Sequence, residues 1–245
     1  MHIEGIQKLT LLDFPGYVAC TVFTKGCNFK CPFCHNSSLI SFPELVFNED
    51  GEENYSLANE LHFTNTENEF WELLKKRKSV LEGVVITGGE PLLQKDIFDF
   101  IQKIKSEGYK VKLDTNGSNP QILQDLAKAN LIDYVAMDIK NSFEKYSKTC
   151  GVNIDTAKIE NSIKFLLEGH VPYEFRTTAV IGLHEASDFE KIGFMLQGAQ
   201  KYFIQSYKKT DSVLLPEGLE EPTKEDLSAF LSAARLHLPQ SELRG

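Results

Sequence analysis

The segment YVACTVFTKGCNFKCPFCHN, residues 17–36, joins a strand-like apolar run to three closely spaced cysteines. Cys27, Cys31 and Cys34 follow that run with the spacing C-x3-C-x2-C. This spacing allows one loop to place three thiolates around a single metal centre, whereas a 4Fe-4S cluster is normally held by four cysteines. One iron of such a cluster would therefore be open to another ligand, which indicates chemistry rather than electron storage alone.

The two remaining cysteines do not supply the fourth ligand in this interpretation. Cys20 lies in the preceding apolar run, and Cys150 is far along the chain with no neighbouring cysteine. We expect both to be small buried hydrophobic residues, which is common for free cysteines.

Three other interpretations of the loop stay open when it is considered alone. Cys31 and Cys34 match the C-x-x-C of a thioredoxin-like dithiol, and with His35 they match the C-x-x-C-H of haem attachment. Neither pattern explains Cys27. A zinc site would need a fourth ligand, and the adjacent Cys34 and His35 are poorly placed to serve together in a tetrahedral site.

Composition indicates an ordinary water-soluble protein. At 245 residues, with 42% hydrophobic and 25% charged residues, the chain can form a single domain over residues 1–245. The N-terminus contains Glu4 and Asp13 rather than a signal peptide, and the apolar runs are too short to cross a membrane, so we expect a cytoplasmic protein. The cysteine usage fits a reducing compartment. A net charge of -9 argues against a nucleic-acid partner.

Short β-branched or aromatic runs alternate with helical patterns, which is typical of repeated βα units and a parallel sheet. The predicted strands are 17–24, 83–87, 109–114, 134–140, 173–180 and 201–207. The predicted helices are 67–78, 95–107, 120–129, 155–169, 187–197 and 223–235. Six βα units imply an α/β fold in the form of an open, partial barrel. Residues 41–68 are acidic and weakly periodic, and we expect a surface excursion there.

In parallel βα architectures the functional residues lie at the carboxyl ends of the strands. The second predicted strand ends in Gly88-Gly89-Glu90-Pro91, where two glycines permit close backbone approach to a ligand. Glu90 has the wrong charge for a phosphate and the right one for an ammonium group. A purely structural Gly-Gly turn is the alternative.

The next three strands also carry charged residues at or near their ends. Asp114 and Asp138 end the third and fourth strands, and we expect them to face a shared pocket; helix caps or loop contacts are the alternative. Asn116-Gly117 alone would suggest a hairpin, but the following proline and helical pattern favour a βα loop. Arg176 lies in an apolar strand and needs a partner, either a carboxylate or a ligand.

Four motifs together resemble the radical S-adenosylmethionine enzymes. They are the cysteine loop with His35-Asn36, Gly88-Gly89-Glu90-Pro91, Asp114-Thr115-Asn116-Gly117 and Met137-Asp138-Ile139-Lys140. Within that superfamily the chain resembles the activases of glycyl radical enzymes. Residues 5–16 and 174–178 most resemble the long-form activating proteins of anaerobic ribonucleoside-triphosphate reductase. The resemblance extends over about residues 5–207.

The resemblance implies a 4Fe-4S cluster on Cys27, Cys31 and Cys34, with S-adenosylmethionine on the open iron. Reductive cleavage would give a 5'-deoxyadenosyl radical that takes hydrogen from a glycine of a partner enzyme, with a flavodoxin-like protein as electron donor. The resemblance implies that Gly88 and Gly89 bind the methionyl ammonium group, with Glu90 shaping their turn. It implies that Asp114 contacts that ammonium group or a monovalent cation, with Thr115 and Asp138 nearby. It also implies that Lys140 binds the methionyl carboxylate and that Arg176 belongs to the cofactor-binding set.

Where pyruvate formate-lyase activases place a histidine against the adenine, this chain has Gln205-Ser206-Tyr207-Lys208, and Tyr207 is the candidate replacement. Four alternatives to a reductase activase remain. They are an activase of another glycyl radical enzyme such as pyruvate formate-lyase, a small-molecule radical enzyme such as a deazapurine synthase, an electron-transfer iron-sulfur protein, and a zinc-binding module.

Overall fold

The structure is a computed structural model that describes residues 1–41, 45–47, 53–55 and 57–244. The chain divides into two compact units. The first comprises Met1–Asn28, Ser38–Asp114 and Ala129–Asp133, and the second comprises Phe29–Ser37, Thr115–Lys128 and Tyr134–Gly245. The expectation of one domain over residues 1–245 stays a prediction beside this division.

The first unit is built on a mostly parallel group of strands. Its strands are β1 (Ile3–Thr10), β2 (Ala19–Thr24), β3 (Leu45–Phe47), β4 (Glu53–Tyr55), β5 (Gly83–Gly88) and β6 (Lys110–Thr115), the last of which ends one residue past the unit boundary. β1 pairs antiparallel with β2, and β2, β5 and β6 pair in parallel in that order. β3 and β4 form a separate antiparallel pair. Val84, Val85 and Ile86 are fully buried, as is typical of a parallel strand covered on both faces.

Two helices of the first unit present regular apolar faces. They are α1 (Leu57–Lys76) and α2 (Ile97–Ser106). α1 packs against β1 and buries Phe63, Phe70 and Leu74, which lie on one helical face. α2 buries Ile97, Phe100, Ile101 and Ile104, spaced i, i+3, i+4 and i+7.

The second unit contains a fully parallel group of strands in the order β7-β8-β9-β10. Its strands are β7 (Tyr134–Asp138), β8 (Tyr173–Ala179), β9 (Tyr202–Ser206) and β10 (Ser241–Arg244). Its helices are α3 (Pro120–Lys128), α4 (Tyr146–Cys150), α5 (Thr156–Leu167), α6 (Ala186–Met195) and α7 (Lys224–Arg235).

Close packing of α6 on α7 requires a glycine. The rings of Phe189 and Phe230 stack with centroids 4.5 Å apart. A Cβ added to Gly193 would lie 2.4 Å from the carbonyl oxygen of Ala234, so a larger residue would force the helices apart.

The six predicted strands are confirmed as β2, β5, β6, β7, β8 and β9, and the six predicted helices are confirmed as α1, α2, α3, α5, α6 and α7. β1, β10 and the short helix α4 were not predicted. β1 is half exposed and contains Gly5, and β10 has four residues, so neither shows a clear period.

The surface excursion expected over residues 41–68 stays a prediction, but the predicted start of the first helix is wrong. Residues 42–44, 48–52 and 56 lie outside the described residues. The described part contains β3, β4 and the first turns of α1, which begins at Leu57 rather than at residue 67. Thr64, Asn65 and Thr66 have low helix propensity and hide the period, whereas burial of Phe63 favours the helix.

None of the described helices combines the length and the apolar composition that crossing a bilayer requires. The cytoplasmic location expected from the sequence stays a prediction.

Within the second unit, a buried carboxylate on β8 anchors β10. Glu174, on β8, is almost fully buried. It accepts two hydrogen bonds from the guanidinium of Arg244, at 2.7 and 3.0 Å, and one from the hydroxyl of Tyr134 at 3.0 Å. The same guanidinium lies 3.4 Å from the ring centroid of Phe203. A buried charge of this kind is tolerated because it is paired.

We expect Arg244→Met to lower the free energy of unfolding by about 2 kcal/mol, because Glu174 would lose two charge-assisted hydrogen bonds while staying buried. Urea unfolding measures the change. The control is Lys164→Met, which removes an exposed i,i+4 pair with Glu160 and should cost roughly 0.5 kcal/mol or less. Equal costs for the two variants would show that Arg244 does not anchor the strand.

Candidate functional site

The glycine turn after β5 packs directly on the backbone that leads to Cys27. The amide of Gly89 donates to the carbonyl of Thr24 at 2.9 Å, and the amide of Glu90 donates to the carbonyl of Gly26 at 2.8 Å. A Cβ on Gly88, whose φ is +121°, would lie 2.2 Å from the nitrogen of Thr24, and one on Gly89 would lie 2.0 Å from the oxygen of Gly26. The close approach that the two glycines permit is thus an approach to the chain's own backbone.

Two polar side chains fix this region. Glu90 is buried, and its carboxylate accepts from the amide of Leu92 at 3.1 Å, which begins the short 3-10 helix Pro91–Leu93. Gln94 was not predicted to have a role. Its amide donates to the carbonyl of Lys25 at 2.7 Å and so holds the segment before Cys27, whose own amide donates to Ile40 at 2.9 Å. The predicted turn-shaping role of Glu90 matches this geometry.

Asp114 lies at the carboxyl end of β6, as predicted. Its carboxylate is ion-paired with the ammonium group of Lys112, two residues earlier on the strand. Sequence patterns alone assign no role to Lys112.

In the second unit, the later part of the cysteine loop is held by distant segments. The amide of Cys34 donates to the carbonyl of Cys31 at 3.0 Å, closing a turn. The amides of Leu214 and Leu215 donate to the carbonyls of Cys34 and Pro32 at 3.2 and 2.9 Å. The hydroxyl of Ser37 donates to the carbonyl of Ser212 at 2.7 Å. Residues 31–37 therefore take their shape from a segment near residue 213.

Cys150 is fully buried, as predicted, and it lies beside Cys31, a contact that was not predicted from the sequence. The thiols of Cys31 and Cys150 hydrogen-bond each other. The amide of Lys30 donates to the carbonyl of Cys150 at 2.9 Å, and Gly151, at φ +67°, lets the two segments meet. The bond from Cys150 lowers the pKa of the Cys31 thiol, burial raises it, and Lys140 lowers it further, with a net lowering. A lowered thiol pKa favours the thiolate, the form that binds metals.

A three-charge group lies where the carboxyl end of β7 meets the middle of β8. Asp138 accepts from Lys140 at 3.1 Å and from the Nε of Arg176 at 2.9 Å. Burial would raise the pKa of Asp138, but Arg176 and then Lys140 outweigh it and hold the pKa at about 2. Burial would lower the pKa of Lys140, but Asp138 and Cys31 raise it. The carboxylate partner predicted for Arg176 is confirmed.

The loop after β6 is a βα connection, as predicted, and not a hairpin. Thr115 is buried, and its hydroxyl accepts from the amide of Gly117 at 3.1 Å, while the side chain of Asn116 accepts from Ser118 at 2.9 Å. A Cβ on Gly117 would lie 2.0 Å from the terminal carbon of Met137. The loop therefore needs a glycine there, and it leads into α3.

Tyr207 is fully buried, with its ring centroid 5.5 Å from that of His35. Its hydroxyl has no hydrogen-bond partner among the described residues. The ring shows no exposed face, so the structure gives adenine stacking on Tyr207 no support, and that role stays a prediction.

His184 is a further residue that the sequence did not single out. It is buried, and its Nε2 lies 2.8 Å from the carbonyl oxygen of Lys140, so it fixes the backbone at the end of β7. Burial lowers its pKa. Neither Cys150 nor His184 lies near a motif in sequence, so only the fold reveals their contacts.

The cysteine set fits an iron-sulfur cluster in donor chemistry. All five cysteines are free thiols, and the pKa of Cys31 is lowered. Among residues 1–41, 45–47, 53–55 and 57–244, no group of three His, Cys, Asp or Glu side chains forms a ready-made metal-ion site. The assignment of Cys27, Cys31 and Cys34 as ligands therefore depends on their sequence spacing and on the family pattern.

Residues 21–195 match the family model of the Radical SAM superfamily. The chain belongs to that superfamily. Its members are enzymes that use a 4Fe-4S cluster and S-adenosylmethionine. The predicted fold class, an open α/β partial barrel of the radical S-adenosylmethionine type, is confirmed by this match and by the solved structures that resemble the chain.

The activase resemblance is also confirmed. A Methanocaldococcus jannaschii protein provisionally named a glycyl-radical enzyme activating enzyme is 31% identical over 215 residues, which cover 86% of this chain and 81% of that protein. A pyruvate formate-lyase-activating enzyme of Listeria monocytogenes is 28% identical over 145 residues, covering 57% of this chain and 53% of that protein. Streptococcus suis SuiB bound to S-adenosylmethionine has a TM-score of 0.61 at 16% identity, covering 90% of this chain and 48% of that chain. This last likeness shows the fold alone.

We expect Gly89→Ala to lower the free energy of unfolding by about 2 kcal/mol, because its methyl group would overlap the carbonyl of Gly26. Urea unfolding measures the loss, and hydrogen exchange should show faster exchange of the Glu90 amide, which donates to that carbonyl. Gly5→Ala is the matched control, since a Cβ there meets nothing within 4 Å. A Gly89 variant as stable as the Gly5 variant would contradict the proposed packing.

Asp138 should make stability depend on pH in a defined window. Its pKa is about 2 in the fold, against an ordinary value of 3.8. A carboxyl group with a lowered folded pKa stabilises the fold above its unfolded pKa, and this stabilisation is lost as the pH falls through the folded value. The advantage of the wild type over Asp138→Asn in urea unfolding should therefore be full above about pH 5 and shrink toward about pH 2. A difference that does not change with pH would refute the assignment.

Proposed function

We propose that this chain is an activating enzyme that generates a glycyl radical on a partner enzyme, and that the partner is an anaerobic ribonucleoside-triphosphate reductase. The observation that carries the proposal is a C-x3-C-x2-C loop in a chain that is 31% identical over 215 residues to a protein provisionally named as such an activase. The choice of the reductase rests on the motifs in residues 5–16 and 174–178.

Cys27, Cys31 and Cys34 would hold the cluster. When bound, a 4Fe-4S cluster with one open iron would supply one electron to S-adenosylmethionine. Cleavage of the C5'–S bond would then release methionine and a 5'-deoxyadenosyl radical, which would take a hydrogen atom from the partner's glycine. The chain's part is to hold the thiolates and to orient the cosubstrate. Cys31 is buried, and burial raises the pKa of its thiol. The bond from Cys150 and the nearby charge of Lys140 lower that pKa, which favours the thiolate.

The backbone of Gly88 and Gly89 would bind the methionyl ammonium group. Their turn is held against Thr24 and Gly26, and Glu90 fixes its exit, so the backbone groups are preorganised. Asp114 and Thr115 are the last two residues of β6, the next strand along the chain, and are proposed to lie near the methionyl moiety.

Lys140 would bind the methionyl carboxylate, with Arg176 acting through Asp138. An ammonium group has three donors, so Lys140 can keep its bond to Asp138 and also donate a hydrogen bond to the ligand's carboxylate. Arg176 neutralises Asp138 from its other oxygen, which keeps that carboxylate from repelling the ligand's. Tyr207 is the candidate for the adenine, as inferred from the sequence.

The partner would be a protein with a glycine-bearing loop, and a flavodoxin-like protein would deliver the electron. The chain carries a net charge of -9, so broad electrostatic attraction should contribute to docking only if the partner is basic. We expect loop insertion and local shape to dominate.

We expect anoxically reconstituted protein to hold about four irons. With reduced flavodoxin or a chemical reductant, S-adenosylmethionine and the reductase from the same source, it should produce a glycyl radical visible by electron paramagnetic resonance. Alanine at Cys27, Cys31 or Cys34 should abolish both cleavage of S-adenosylmethionine and the radical. Cys20→Ala is the matched control, because Cys20 is a buried thiol whose pKa burial raises to about 12, and it should stay active.

The outcomes separate the alternatives. A radical on pyruvate formate-lyase but not on the reductase would keep the activase function and replace the client. Cleavage of S-adenosylmethionine with no radical on any glycyl radical enzyme would favour a small-molecule reaction, such as deazapurine formation. Absence of cleavage by protein with a full cluster would refute the proposal.

A further inference from the structure

Lys112 is a lysine in the interior of the first unit. Lys112 lies in the middle of β6 and is only 1% exposed to solvent. A buried ammonium group is costly unless a negative charge compensates it, so lysine is rarely found in such a position. The position calls for an explanation that packing alone does not give.

The compensating charge is the carboxylate of Asp114. Residues two apart on a strand point to the same face, and the ammonium of Lys112 is bonded to one carboxylate oxygen of Asp114. The side chain of Asp114 is 15% exposed, so solvent screens the pair little. The pair is directed along β6 toward its carboxyl end.

That end of β6 lies beside the glycine turn. β5 and β6 pair in parallel, with Val85 opposite Lys112 and Ile86 opposite Leu113. The next residues along the two strands are Thr87 and Asp114, and Gly88 follows. The ion pair therefore lies at the same edge of the first unit as the backbone proposed to bind the methionyl ammonium group.

We propose that Lys112 is a built-in monovalent cation for Asp114. Its tethered ammonium takes the place that a potassium or sodium ion would otherwise fill beside this carboxylate. The inference rests on the proposed function only for the identity of the neighbouring ligand, and it replaces the expectation of a monovalent cation at Asp114. Lys112 is a positioning residue, because it acts through Asp114.

Charge balance supports this role. An ammonium group and a small monovalent cation carry the same charge and both bind carboxylate oxygens. A second cation on Asp114 would be repelled by Lys112 at short range, where burial limits screening. Because the lysine is covalently attached, its local concentration does not depend on the salt in solution. The carboxylate is thus neutralised under all ionic conditions.

The test compares potassium, sodium and choline chloride at equal ionic strength. For the wild type without cofactors, we expect the same melting temperature in all three salts. Lys112→Met should have a lower melting temperature in choline and recover part of the loss in potassium or sodium, because a small ion can reach the carboxylate and choline cannot. After cluster reconstitution, the variant's Kd for S-adenosylmethionine should differ about tenfold between choline and potassium, whereas the wild type's should not.

Two matched variants serve as controls. Lys110→Met removes a lysine from the same face of β6 whose side chain is 48% exposed and pairs with Asp133, and it should create no preference among the salts. The double variant Lys112→Met with Asp114→Asn removes both charges. It should fold without any preference among the salts, because no carboxylate remains for a small cation to bind. If Lys112→Met alone does not fold, the comparison of the wild type in the three salts still tests the inference.

Two results would overturn the inference. One is a wild type whose melting temperature or S-adenosylmethionine Kd changes between potassium and choline at equal ionic strength. The other is a folded Lys112→Met protein that behaves alike in all three salts. Melting temperatures of the cofactor-free chain do not depend on radical chemistry, so a failure of the proposed function would leave these outcomes readable.

Discussion

The contact between the ends of β2 and β5 is the constraint on which the first unit's candidate residues depend. Two backbone hydrogen bonds, from Gly89 to Thr24 and from Glu90 to Gly26, bring the segment before Cys27 against the glycine turn. The distances leave no room for a Cβ on Gly88 or on Gly89. A single contact thus fixes both the entry to the cysteine loop and the turn that is proposed to bind the cosubstrate.

Three strands carry a carboxylate that is paired with one or two cationic side chains. Asp114 is paired with Lys112, Asp138 with Lys140 and Arg176, and Glu174 with Arg244. In each case a carboxylate is neutralised by cations of its own unit. Pairs of this kind add little net stability over apolar packing, but loss of one partner is costly. The first two pairs hold charged groups in fixed positions where a charged ligand is expected, and the third anchors β10.

Local patterns predicted the parallel strands and most helices, because apolar runs and strand-end glycines are strong local signals. They failed where order comes from contacts distant in sequence. β10 is short and polar and is anchored through Glu174, and the first turns of α1 have weak helix formers but bury Phe63. Cys27, Cys31 and Cys34 were recognisable as a motif.

The same limit applies to the candidate site. Asp138 and Arg176 were recognisable as charges in apolar strands, and the cost of burial called for a partner for Arg176, either a carboxylate or a ligand. Only the fold identifies Asp138 as that partner. The contact of Cys150 with Cys31 was not recognisable, because no spacing rule connects a loop near the start of the chain to the end of α4.

The partners of the cysteine loop also set the order of events during synthesis. Residues 30–37 bond to Cys150, Ser212, Leu214 and Leu215, all of which are made long after the loop itself. On the ribosome the loop therefore emerges without the segments that shape it. It can take its folded form only after about residue 215 has left the exit tunnel. Folding of the loop therefore waits until the segments near residues 150 and 213 have been made.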